Sequence, residues 1–150
     1  MRHDRPTLDG ADLDTVDADT FGAGLRGLGL NLLVRDVLAE VELLGRLFGM
    51  VAHQPTADFA ILTYGDEVLQ LHSDGTYHSN PLGAVVAAVD ARGPGVEIRL
   101  YESDPDEVVA IAVELGLEDL QAPTDKPHGL REAYVVCPNG YVWVPSRPLS

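Results

Sequence analysis

Residues 28–50, LGLNLLVRDVLAEVELLGRLFGM, hold a strand, a cap, a helix and a stop in that order. Leu28 to Arg35, rich in Leu and Val, is of a length that suits a single strand. Asp36 stands where a helix needs an N-cap, because its short carboxylate can accept from a free amide of the first turn. Val37, Val41, Leu44 and Phe48 then recur at helical spacing, and Gly49 supplies the residue that most readily turns a helix end.

The same logic extends in both directions. After Gly49 the segments MVAHQ, DFAILTY and EVLQLHS are β-compatible and are separated by PTA and by Gly65-Asp66, a pair suited to a hairpin turn. The first half therefore reads as βαβββ. In the second half VEIRLYE is a strand, and Asp104 precedes PDEVVAIAVELG, with Pro105 in the first helical turn and Gly116 at its end. Extended segments follow around Leu120, at Glu132 to Val136 and at Tyr141 to Val144, with Pro138-Asn139-Gly140 as a hairpin turn. PLGAVVAAVDARGPG, between the halves, is either a short helix ending at Gly93 or an apolar linker. The expectation is an α+β chain of two βαβββ modules, residues 27–80 and 95–150, joined by a linker over 81–94. The two main helices are placed near Asp36 to Phe48 and Pro105 to Leu115.

Residues 1–26 form an acidic N-terminal arm carrying Asp4, Asp9, Asp12, Asp14, Asp17 and Asp19, with few large apolar groups beyond Leu8, Leu13, Val16 and Phe21. Two readings stand: a frayed end that buries too little to offset its ordering entropy, or an arm that docks on a partner subunit through Leu13, Val16 and Phe21.

A chain of 150 residues with 45% hydrophobic content can bury a core without covalent staples. Its single cysteine, Cys137, rules out an intrachain disulfide and, lacking an evident base partner, reads as a core side chain. No apolar run approaches the ~20 residues of a membrane helix, and the N-terminus lacks a signal-peptide core, so a soluble cytoplasmic protein is expected. A net charge of -14 opposes binding to phosphate backbones, which excludes nucleic acid as an expected partner.

Several local motifs, in this order and spacing, resemble the glyoxalase, bleomycin-resistance and dioxygenase (vicinal oxygen chelate) superfamily. They are the strand-to-helix junction Val34-Arg35-Asp36, the helix end Phe48-Gly49, the run Pro127 to Glu132, and CPNGYVW from Cys137 to Trp143, where Cys137 replaces the usual Asp. The resemblance covers about Leu25 to Pro148. It implies two βαβββ modules forming open mixed-sheet cups, which in metal-dependent members supply four ligands, commonly His or Glu, to a divalent metal. In this chain it places Gly29, Gln70, Glu97 and Val144 at those four positions. Gly29 and Val144 have no coordinating side chain and Gln70 is a weak neutral donor, so no metal is expected there. The alternative is a divalent ion (Zn, Ni, Fe or Mn) held by an altered set that includes His72 and Glu97.

Strand alternation gives an independent view of the same faces. Leu69 and Leu71 share one face of EVLQLHS, and Val68, Gln70 and His72 the other. Val96, Ile98 and Leu100 share one face of VEIRLYE, and Glu97, Arg99 and Tyr101 the other. If the halves pair as the resemblance implies, Asn31, Gln70, His72, Glu97 and Arg99 converge as ligand-binding residues. The bland alternative makes them ordinary wet positions on antiparallel strands. His72 is the candidate for any acid–base role, since its ordinary pKa of ~6.5 lies near neutrality. His53 on an edge strand, His78 in a polar loop and His128 in the KPHG loop are weaker candidates.

The expected function is therefore binding of a small organic molecule in the manner of resistance or sequestration proteins, by a homodimer. The alternative is a metal-dependent lyase, isomerase or dioxygenase.

Overall fold

In the computed structural model, residues 8, 10–75 and 80–150 are described. Asp4, Asp9 and His78 lie outside them. In chain order the elements are α1 (Ala18–Gly24), β1 (Asn31–Val34), α2 (Val37–Phe48), β2 (Val51–His53), β3 (Phe59–Tyr64) and β4 (Glu67–Ser73). There follow α3 (Leu82–Val86), β5 (Glu97–Leu100), α4 (Pro105–Glu114), β6 (Glu118–Asp125), β7 (Leu130–Val136) and β8 (Val142–Pro148). The chain divides into two units, one holding α1, β1, most of α2 and β2 to β4, the other holding α3, β5, α4 and β6 to β8. Each contains one βαβββ module, as the repeated strand, cap, helix and glycine order predicts.

The local reasons are those read from the sequence. Asp36 accepts from the Ala39 amide at 3.0 Å, and Gly49 closes α2 in the left-handed conformation at φ 69°. Asp104 caps α4 through the Asp106 amide at 3.0 Å, with Pro105 in the first turn, where a missing N–H costs nothing. β3 and β4 pair as an antiparallel hairpin across Gly65-Asp66, and Gly65 takes the positive φ that the tight turn requires.

In the first unit the strand order is β1-β4-β3-β2, with β1 and β4 parallel and the remaining pairs antiparallel. The parallel pair needs a crossover, which α2 begins. Leu32, Val34, Ala60, Leu62, Leu69 and Leu71 share one face and are all buried, as are Val37 and Leu44 of α2. Leu69 and Leu71 thus take the core side that alternation assigns them.

The second unit repeats the order as β5-β8-β7-β6, with β5 and β8 parallel. Here α4 packs against β6, β7 and β8. Ala133, Val135 and Trp143 share the core face and are fully buried, with Val108 and Ala112 buried on α4. The last turn of α2, Arg46–Phe48, groups with this unit, and the Phe48 ring lies 5.6 Å from that of Trp143. Arg131 clamps the start of α4, donating from Nε and Nη2 to both carboxylate oxygens of Asp106 at 2.8 Å. Cys137 is buried, the expected core role.

Several strand boundaries differ from expectation: β1 is confined to Asn31–Val34 within the expected Leu28 to Arg35, which leaves Gly29 outside it, and β7 begins at Leu130 rather than Glu132. β8 runs on through Pro145 to Pro148 instead of ending at Val144. Proline normally argues against an inner strand, so the pattern stops at the residue before Pro145, short of the strand's true end at Pro148. β5 spans only Glu97–Leu100, which leaves Val96 before it and Tyr101 after it outside the ladder, both more than half exposed. The extended region around Leu120 is an eight-residue edge strand with register shifts on either side of Gln121. Its irregular pairing hides it from a period-two reading.

The arm also contains a helix that composition does not announce. α1 buries Phe21, and the segment before it is tied to the first unit's own edge strand. Gln54, at a left-handed φ of 49°, donates from Nε2 to the Leu13 and Val16 carbonyls at 2.8 and 2.9 Å, and His53 Nδ1 lies 2.9 Å from Asp14 Oδ1.

Candidate functional site

The strand registers decide which side chains share a face. In the first unit Asn31 pairs with Gln70, Leu33 with His72, Ile61 with Gln70 and Phe59 with His72. Asn31, Gln70 and His72 therefore lie on one face, as alternation predicts. Their surroundings differ: Asn31 is exposed, Gln70 is half-buried and His72 is only 3% exposed. The His72 ring sits 5.0 Å from that of Phe59, and burial pushes its pKa below the ordinary histidine value. An expected wet-face histidine is instead a desolvated imidazole favouring its neutral form.

In the second unit Glu97 and Arg99 stand two residues apart on β5, opposite Val142 and Val144 of β8. Continuing the register across β8 places Glu132 beside Ser146 on the same face. Arg99 reaches over that strand. Its Nη1 donates to Glu97 Oε1 at 2.6 Å, and its Nη2 donates to Glu132 Oε2 at 2.9 Å and to Ser146 Oγ at 3.2 Å. Tyr134 donates its hydroxyl to the same Glu97 oxygen at 3.0 Å. His128 Nε2 lies 3.2 Å from Glu132 Oε1, and the Tyr101 ring lies 5.9 Å from the guanidinium carbon.

The two carboxylates are held differently. Glu132 is 2% exposed, so its charge depends on Arg99, Ser146 and His128 for solvation. Glu97 is 47% exposed at its side chain, and the Arg99 and Tyr134 hydrogen bonds hold its carboxyl below the usual carboxylate range. Tyr134 moves the other way: burial, then the hydrogen bond to Glu97 and its charge, raises its phenol pKa. The face thus carries an ionised, oriented carboxylate at its surface and a buried one beneath, bridged by one guanidinium.

Of the residues expected to form the site, the structure brings Glu97 and Arg99 into direct contact in the second unit and groups Asn31, Gln70 and His72 on one face of the first. Among the positions the resemblance assigns to metal ligands, Gly29 and Val144 carry no donor atom, and Glu97 Oε1 already accepts two hydrogen bonds. Among the described residues there is no group of three or more His, Cys, Asp or Glu placed to hold a metal ion. His53 belongs to the arm contact and His128 to the Glu132 carboxylate.

Sequence reasoning misses Glu132, Tyr134 and Ser146. Alternation along LREAYVV separates Glu132 and Tyr134 from the buried Ala133 and Val135, a signal that points to the first two. Ser146 lies beyond Pro145, where the strand reading stops.

This architecture, two βαβββ modules with a parallel first and last strand in each, is the fold of the glyoxalase, bleomycin-resistance and dioxygenase proteins. Similar solved structures include TioX from Micromonospora sp. ML1, at 24% identity over 83% of this chain and 98% of that one, with a TM-score of 0.61. A glyoxalase/bleomycin resistance protein/dioxygenase family enzyme from Burkholderia phytofirmans PsJN is 18% identical over 80% and 96% of the two chains, with a TM-score of 0.66. A glyoxalase-related enzyme from Fulvimarina pelagi is 20% identical over 82% and 88%, with a TM-score of 0.63. No family model matches the chain, and no curated protein matches it. No helix among the described residues is long and apolar enough to cross a membrane.

Proposed function

We propose that this protein binds a small organic molecule without a resident metal, in the manner of a resistance or sequestration protein. One observation carries the reading: the Arg99 fork ties Glu97 to Glu132 on the face where a metal-dependent protein of this fold needs free carboxylate donors. Glu97 has one oxygen engaged by Arg99 and Tyr134, and Val144 beside it offers no atom to coordinate, so this face supplies too few donors to hold a divalent ion tightly. The residues present do not fit a metal, and no reaction step is assigned to one. What they do supply is a set of oriented polar groups at fixed places, the usual means by which a small-molecule site sets orientation.

The test is elemental analysis and native mass spectrometry on protein purified without chelators. Substoichiometric transition metal together with a bound organic mass supports the reading. One equivalent of Zn, Ni, Fe or Mn, lost in a Glu97→Ala variant, overturns it and favours the lyase, isomerase or dioxygenase alternative. We propose also that the working form is a homodimer, since each four-stranded sheet ends in edge strands and β6 is an eight-residue one. A concentration-independent monomer mass in light scattering contradicts that.

A further inference from the structure

The donors and acceptors on the second unit's open face are unequally spent. Arg99 directs Nη1 and Nη2 at Glu97, Glu132 and Ser146, and Tyr134 gives its hydroxyl hydrogen to Glu97, so the charged fork and the phenol are committed to protein acceptors. Both bonds to Glu97 end on Oε1. Its other oxygen, Oε2, receives neither, on a side chain 47% exposed. A second acceptor lacks a donor on the same face: Gln121, the β6 register partner of Tyr134, has a buried Oε1 with no hydrogen-bond partner. Charge points the same way: with His128 neutral, the two carboxylates Glu97 and Glu132 face the single Arg99 guanidinium at this place.

Resting on the reading of this face as a ligand site, we infer that its ligand presents a positively charged N–H donor, an ammonium or amidinium, to Oε2 of Glu97. Arg99 and Tyr134 are positioning residues that fix the carboxylate in one orientation. Glu132, buried beneath, balances the Arg99 charge, so the guanidinium does not repel the incoming cation outright. A donor–carboxylate contact of this kind is charge-assisted, stronger than a neutral hydrogen bond. An anionic ligand meets like charge at the same spot, and the chain's net charge of -14 raises the local concentration of cations over anions. This polarity is the reverse of a metal-bearing face, which attracts oxygen donors.

The experiment titrates the full chain with benzylammonium, benzyl alcohol and benzoate, probes of similar size and different charge, following backbone amide chemical shifts. Benzylammonium is expected to bind at least about tenfold more tightly than benzoate, with its largest shifts along β5 and β7, and the ratio is expected to fall to within about threefold in Glu97→Gln. Tyr134→Phe, which keeps the ring and frees the carboxylate, is expected to lower the ratio part of the way at unchanged thermal stability. The inference is overturned if benzoate binds as well as benzylammonium, if the preference survives in Glu97→Gln, or if none of the probes binds. A neutral or anionic organic molecule found bound to the native protein sinks the inference alone, whereas a stoichiometric metal sinks the binding reading itself.

Discussion

On the first sheet, the face opposite the fully buried one carries Asn31, Gln70 and His72 among Leu33, Phe59 and Ile61, and none of these six is charged above the His72 pKa. On the second sheet the corresponding face carries Glu97, Arg99, Glu132, Tyr134 and Ser146 in one hydrogen-bonded network. Strand order, parallel pair and crossover helix are the same in both. The comparison teaches that the buried faces, filled by Leu62, Leu71, Val135 and Trp143, maintain the architecture, which frees the other faces to carry different chemistry. It also separates two ways of burying a polar group: burial tips His72 toward its neutral form, while Glu132 is met by the Arg99 guanidinium.

The largest expected effect comes from removing that partner. Arg99→Met strands the Glu132 carboxylate at 2% exposure, and breaking a buried pair from one side costs about 3 kcal/mol or more. Urea unfolding checks this, with Arg99→Met/Glu132→Leu expected to recover much of the loss because the stranded charge is gone. A loss below about 1 kcal/mol in the single variant would mean that Glu132 is solvated without Arg99 and that the two faces differ less than their hydrogen bonds indicate.

A smaller effect distinguishes His72 by its pH dependence. Its folded pKa lies below the unfolded value of 6.5, so the unfolded chain binds the extra proton first as pH falls. The stability present above pH 6.5 is therefore lost as pH falls from 6.5 through the folded pKa, and the curve flattens below it. Comparing urea midpoints of the wild type and His72→Gln across this range isolates the contribution. A difference between the two proteins that does not change with pH sinks the idea that burial holds the imidazole neutral.

The smallest expected effect concerns the arm, a feature of the first unit alone. Gln54→Ala removes two hydrogen bonds to the Leu13 and Val16 carbonyls, together about 1 to 2 kcal/mol of local docking. Hydrogen exchange is expected to quicken over residues 11–24 and to remain unchanged in β7 and β8. Exchange that quickens everywhere would show that the arm is part of the global unfolding unit rather than a separately docked segment.

Much of this organisation is legible in the order of residues, because caps, helical stripes, turn glycines and strand alternation are short-range. Asp36, Gly49, Gly65, Asp104 and Gly116 mark boundaries through the backbone geometry of their own neighbourhoods. Alternation also assigns Glu97 and Arg99 to one face and Leu69 and Leu71 to the other. What it cannot supply is the register between strands far apart in the chain, and register alone brings Glu132 and Ser146 under Arg99. The same gap explains His72, whose place on an open face is predictable from period two while its burial beside Phe59 is not. Pro145 hides the end of β8 because a proline within an inner strand runs against local preference, tolerated here by the neighbouring strands.

By itself, then, the sequence determined the two βαβββ modules, their helix limits and the sidedness of their strands, since those follow from interactions within a few residues. The tertiary structure alone decided that Arg99 bridges two carboxylates, that the Arg99 and Tyr134 hydrogen bonds both end on one oxygen of Glu97, and that the acidic arm lies along its own chain at Gln54 and His53. Those outcomes depend on side chains separated by some forty residues or fewer meeting across strands. Only the hydrogen-bonded alignment of the sheets and the docking of the arm can bring them within reach.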